Sequence, residues 1–137
     1  MNKRVSARAI IIEDDCVYLM FRRRIKDDGT VKEYYVIPGG GQEEGEELTD
    51  TVLREIKEEF QVDVKVLGFL GSDEGEDSIA NFFACSIENG VPTLGGEELD
   101  KQSESYYYEI RKISMSELEN IDVLSKDLIY KAYNKEY

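Results

Sequence analysis

The 137 residues contain no histidine and only two cysteines. The first absence excludes Ser-His-Asp and Cys-His catalytic arrangements and any zinc site built on imidazole. A metal must then be held by oxygen ligands, and a general base must be a carboxylate, a lysine or a tyrosine. Cys16 and Cys85 stand apart in apolar, strand-like runs. They are expected to be buried free thiols, with a single disulfide as the alternative. Basic residues are scarce too: 17 Lys and Arg face 30 Asp and Glu, a net charge of −13. Such a surface repels a phosphate backbone, so no nucleic acid partner is expected. A small anionic substrate would also be repelled unless a bound cation screened the site. No run nears the ~20 apolar residues a membrane span needs. The start, MNKRVSARAIII, has a short apolar part that soon meets Glu13-Asp14-Asp15. That is not a signal peptide. No membrane partner and a cytoplasmic location are the expectations.

What is present fits one folded domain, residues 1–137, large enough to bury a core. Val5 to Ile12 and Cys16 to Arg22 read as a strand hairpin around a polar turn. Three arginines follow at once, Arg22, Arg23 and Arg24. In so acidic a chain they are either a solvated strand end or candidates for gripping phosphate oxygens. Ile25 to Lys32 reads as a loop and Glu33 to Ile37 as a short strand stopped by Pro38. Tyr34, Tyr35 and Phe21 are core aromatics or a wall on which a base stacks. Val62 to Leu70 and Ser78 to Ile87 read as strands joined by a loop, Gly71 to Asp77. Val91 to Ser105 reads as a long polar loop, Tyr106 to Ile113 as a last strand, and Ser125 to Tyr137 as a closing helix. Between the last two, Ser116 and Glu119 have capping-box spacing. The order predicts an α/β sandwich with a mixed sheet.

The chain is organised around Gly39 to Val62, GGGQEEGEELTDTVLREIKEEFQV. A glycine turn leads into a helix from about Leu48 to Phe60. At ~100° per residue, Leu48, Val52, Leu53, Ile56 and Phe60 share one apolar arc. Glu55, Glu58 and Glu59 fill the neighbouring arc, with Glu59 at the edge of the apolar stripe. Carboxylates crowded beside a core face repel one another and are costly to desolvate without a counter-ion. Glutamates at this spacing after a glycine turn suit a hard divalent cation, Mg2+ or Mn2+. The chemistry suggested is attack of water on phosphorus.

These residues resemble the box of the Nudix hydrolases, G-x5-E-x7-R-E-U-x-E-E-x-G-U, where U is a bulky apolar residue. Gly40, Glu46, Arg54-Glu55, Ile56, Glu58-Glu59 and Val62 stand at its fixed positions. Gln61 stands where the family has glycine, and a left-handed turn there costs a non-glycine residue on the order of 1 kcal/mol. The resemblance implies a Nudix-like α/β/α sandwich and a Mg2+-dependent hydrolase, with Mn2+ as alternative metal. The implied substrate is a nucleoside diphosphate linked to another group X. It implies Glu55, Glu58 and Glu59 as catalytic metal ligands, without saying which acts as base. Gly39 would offer a carbonyl to the metal, and Arg54 would pair with box carboxylates, Glu46 above all, with Gly40 as further support. Family members recruit another acid from outside the box; Glu104 is the candidate here, with Glu97 and Glu98 as competitors. Arg22, Arg23 and Tyr35 are the substrate-binding candidates. A non-catalytic, nucleotide-sensing module is the alternative function, and a homodimer is among the assemblies left open.

Overall fold

The computed structural model describes residues 3–137, apart from the side chain of Glu97. Its strands are β1 (Arg4–Glu13), β2 (Cys16–Ile25), β3 (Val31–Val36), β4 (Gly39–Gly41), β5 (Asp63–Glu74), β6 (Ser78–Asn89) and β7 (Tyr106–Ser114). Its α-helices are α1 (Leu48–Phe60), α2 (Gly96–Asp100) and α3 (Lys126–Tyr133), with a 3₁₀ turn at Met115–Asn120. The seven strands run in the order β3-β2-β1-β6-β5, with β4 also on β1 and β7 also on β2. The β1–β6 pair is parallel and the other pairs are antiparallel, so the sheet is mixed.

Alternation along β1 divides the core. Ala7, Ala9 and Ile11 meet Val52, Ile56 and Phe60 of α1. Ile10, on the other face, packs with Leu118, Leu128 and Ile129 from the 3₁₀ turn and α3. That is the expected α/β/α sandwich. The sheet also forks. β1 pairs with β2 only at Ile12↔Val17 and Glu13↔Cys16. Further along, β2 goes with β3 and β7, while β1 goes with β4 and β6. A cleft opens between the two branches.

Several local expectations need correction. Gly39–Gly41 is not a free turn but the strand β4, paired with Ser6, Ala7 and Arg8. β5 does not stop at Leu70; it absorbs Gly71 (φ +147) at an irregularity and pairs on to Glu74. The β2–β3 hairpin is longer and its loop shorter, closed by Lys26 N–H donating to Thr30 O. The predicted loop 91–105 contains α2. Leu53 lies outside the core stripe, 43% exposed. The 3₁₀ turn is capped by Ser114, whose side chain accepts from Ser116 N–H, so the cap lies two residues earlier than expected. α3 ends at Tyr133, short of Tyr137. Both cysteines are free, but only Cys85 is buried; Cys16 is half-buried. Among the described residues no helix is long and apolar enough to cross a membrane.

Candidate functional site

The glutamate cluster is built where β4 joins α1 to β1. Gly39 can lie this close to β1 because it has no side chain: a Cβ there would fall 2.3 Å from Ala7 O. Gly40 serves a different need. A Cβ on it would sit 2.4 Å from the carboxylate carbon of Glu55, so the missing methyl is the room that carboxylate occupies. Gly41 O accepts from Arg54 Nη2 at 3.0 Å.

Arg54 binds the acidic residues together. Its Nε donates to Glu46 Oε2 at 2.7 Å and its Nη2 to Glu46 Oε1 at 3.0 Å, a two-point grip. Its Nη1 donates to Glu55 Oε1 at 2.9 Å and lies 3.5 Å from Glu43 and 3.6 Å from Glu58. The Arg54 guanidinium, helped by Glu43 N–H, holds the Glu46 carboxyl down to about 2. Thr51, fully buried, also donates to Glu46 Oε1 at 2.9 Å. Arg54, Glu46 and Gly40, the three residues expected as structural support, thus lie against one another or against Glu55.

Glu59 is different. It is 5% exposed, and its Oε2 is buried with no hydrogen-bond partner. Burial, then the charges of Glu98 and Glu55, push its carboxyl up to about 9. Burial also raises Glu55, against the pull of Arg54. Glu58 is the open member, its side chain 53% exposed. Among the described residues no three acidic side chains already converge as a ligand set; Arg54 balances part of their charge. An orphaned buried carboxylate oxygen beside two further carboxylates is nevertheless what a hard cation would satisfy. The carboxylates of Glu55, Glu58 and Glu59 have the donor chemistry a divalent cation takes. Gly39 lies against Arg8 in the same layer.

The cleft, about 610 Å³, lies beside this cluster and is lined in part by Arg8, Arg22, Tyr34, Tyr35, Phe82 and Leu124. Arg22 Nη2 reaches Glu98 Oε1 at 3.4 Å, while Arg22 Nε is buried without a partner. Tyr35 is on the wall, its hydroxyl accepting from Arg111 Nη1 at 3.0 Å. Arg23 does not line the cleft with Arg22. Strand alternation turns it to the other face of β2, that of Phe21 and Tyr35, where its guanidinium lies 4.8 Å from the Tyr107 ring centre. Glu104 is exposed just before β7. Glu98, on α2, is the acid that approaches: its charge raises both Glu55 and Glu59. The competing Glu97 has its side chain outside the described residues.

Sequence reasoning missed Arg8. It is half-buried, donates from Nη1 to Ile37 O at 2.8 Å, and lies on the cleft wall. Burial lowers its pKa, and Glu59 and Glu55 oppose that shift. The available signal was a charge in phase with Ile10 and Ile12 on a buried strand.

A mixed-sheet α/β/α sandwich with a glycine strand and an arginine-braced glutamate helix defines the class. The family model described as NUDIX domain matches residues 2–123, and the chain belongs to the Nudix family. A curated relative, the ADP-ribose pyrophosphatase of Methanocaldococcus jannaschii, is 34% identical over 87 residues, 64% of this chain. The match spans only half of that relative's length. Among solved structures, an ADP-ribose pyrophosphatase from Streptococcus suis aligns with TM-score 0.66 and 16% identity, covering 98% of this chain and 92% of that one. A MutT NUDIX hydrolase from Burkholderia pseudomallei aligns with TM-score 0.65 and 20% identity, covering 85% and 86%. These two likenesses speak for the fold.

Proposed function

We propose that the chain hydrolyses a diphosphate linkage in a nucleoside diphosphate joined to a further group X, with Mg2+ as cofactor and Mn2+ as alternative. The observation that carries this reading is the buried, unpartnered Oε2 of Glu59, which feels the charges of Glu98 and Glu55 and of Arg8 and Arg22, two arginines of the cleft wall. Glu55, Glu58 and Glu59 would hold the metal, with Gly39 O as a further ligand. When bound, the cation would neutralise the diphosphate and lower the pKa of its water. Arg22 and Arg8 bind non-bridging phosphate oxygens and stabilise the charge left on the departing phosphate. Arg22 has a spare buried Nε for this and exchanges its 3.4 Å contact with Glu98 for a phosphate oxygen. Glu98, released from Arg22, accepts the proton of the attacking water. Tyr34 and Tyr35 offer ring faces to the nucleoside or to X.

Because the Methanocaldococcus jannaschii relative is an ADP-ribose pyrophosphatase, ADP-ribose is the first compound to test; nucleotide sugars and nucleoside triphosphates follow. The assay incubates the chain with each compound and Mg2+ or Mn2+ and reads phosphate after a coupled phosphatase step. Metal-dependent release from at least one compound is expected. No release from any of them, with binding intact, would replace hydrolysis by nucleotide sensing. In the same assay Glu98→Gln should lower kcat ~10²–10⁴-fold, and Glu104→Gln should stay within about twofold. The reverse order would return the outside acid to Glu104.

A further inference from the structure

The position where the family carries glycine is occupied by Gln61, which takes the left-handed conformation all the same, φ 55 and ψ 37. Its side chain is not idle. Gln61 Nε2 donates to Leu94 O at 2.9 Å and to Thr93 O at 3.4 Å. The last turn of a helix leaves carbonyls without partners. Here the same segment supplies them: Thr93 N–H donates to Phe60 O at 2.8 Å and Gly95 N–H to Glu59 O at 2.9 Å. The approach is close enough to require glycine, since a Cβ on Gly95 would lie 2.6 Å from Glu58 O and 3.1 Å from Gln61 Cγ. Residues 93–95 are thus laid across the end of the helix that carries the three glutamates.

α2 starts at Gly96, and Glu98 follows within it. Beyond α2, Gln102 makes a second attachment. Its Oε1 accepts from Tyr108 N–H at 3.1 Å and its Nε2 donates to Tyr108 O at 2.6 Å. Tyr108 is the strand partner of Arg22, the residue that Glu98 contacts. One glutamine amide therefore fixes the start of the segment to α1, and the other fixes its end to the strand pair bearing Arg22. Glu98 is held between them.

We propose that Gln61 is a positioning residue that, together with Gln102, clamps the 93–102 segment so that Glu98 faces both the α1 carboxylates and Arg22. The latch is a property of the fold; its effect on turnover rests on the hydrolase reading above. A glycine at position 61 would suit the left-handed turn better and yet release the segment. Stability and activity should therefore move apart in Gln61→Gly, which a merely structural residue would not produce.

The test uses the full chain. Amide hydrogen exchange of the metal-free protein reads the latch without turnover. Gln61→Gly and Gln102→Ala should each speed exchange at Thr93 and Gly95 by about fivefold, the size of losing one net hydrogen bond. The Gln61→Gly melting temperature should hold or rise. Gln61→Glu, which keeps the side-chain length but offers carboxylate oxygens to two carbonyls, should speed exchange as well. In Mg2+ turnover, Gln61→Gly should lower kcat about fivefold to tenfold with KM within about twofold. In a Glu98→Gln background the same substitution should change kcat by less than about twofold. Wild-type exchange rates in Gln61→Gly or in Gln61→Glu would overturn the latch. Faster exchange with unchanged kcat, or an undiminished loss in the Glu98→Gln background, would overturn the positioning of Glu98. A wild-type chain that hydrolyses nothing would remove the function reading, and the exchange experiment would still decide the latch.

Discussion

Glu59→Gln is expected to cost at least ~10²-fold in kcat/KM while leaving the metal-free fold as stable as before or more so. The carboxyl of Glu59 sits near 9 in the folded metal-free chain against an ordinary 4.5. Between those values the folded chain holds a proton that the unfolded chain has released. This contribution is complete below about pH 4.5 and declines as pH rises toward 9. A glutamine has the shape of the protonated acid and does not titrate. Melting curves of the metal-free proteins from pH 5 to pH 9 should therefore converge at the acid end and separate at the alkaline end, with the variant higher. Mg2+ should raise the wild-type melting temperature more at pH 8.5 than at pH 6, because ligation needs the ionised form. In the variant that rise should largely vanish. Parallel pH curves for the two proteins, or an equal Mg2+ effect, would show that Glu59 is not the group that desolvation and metal compete for.

Arg54→Ala is the second large effect. The substitution leaves Glu46, Glu55 and Glu58 facing one another without the guanidinium that now contacts all three. Both stability and activity should fall, activity by ~10–100-fold, the usual cost of losing support behind metal ligands. Arg54→Lys should recover little. A single ammonium cannot reproduce the paired Nε and Nη2 contacts to Glu46 and still reach Glu55 and Gly41 O. Melting temperature and kcat/KM measured side by side check this. A lysine variant equal to wild type in both would reduce Arg54 to a simple counter-charge.

How much of this was legible in the sequence depended on whether the signal was local. The place of α1 and the burial of Glu59 followed from helical angle alone, because neighbours on a helix face are fixed by spacing. Arg54 and Glu46 were legible through the box pattern. Alternation on β2 had already separated Arg22 from Arg23, so that difference could have been read and was missed. Leu53 fell at the margin of the apolar arc, and only packing decided that it stays in solvent. Glu98 was legible only as a competitor of Glu104 and Arg8 not as a partner of α1, because α2 and β1 reach that helix through contacts distant in sequence. The glycines hid most. A run of three suggests a turn, and no propensity shows that the first yields to a backbone and the second to a carboxylate. Gln61 looked like a flaw at the helix end; its compensation lies at residues 93 and 94, over thirty positions away.

The fork between β1 and β2 determines how this protein can change. The opening is cut by the main chain, where two strands that begin as a hairpin part to different partners. Side chains on its walls decorate the cleft but do not create it. Exchanging Tyr34, Leu124 or Phe82 alters which groups a visiting molecule meets, while strand pairing keeps the gap open. The glutamate cluster is the opposite case, since Gly40 and Glu55 share a space too small for one more carbon. The molecule thus joins a tolerant cleft to an intolerant glutamate cluster, so that, on the proposed function, new ligands can be acquired without rebuilding the chemistry.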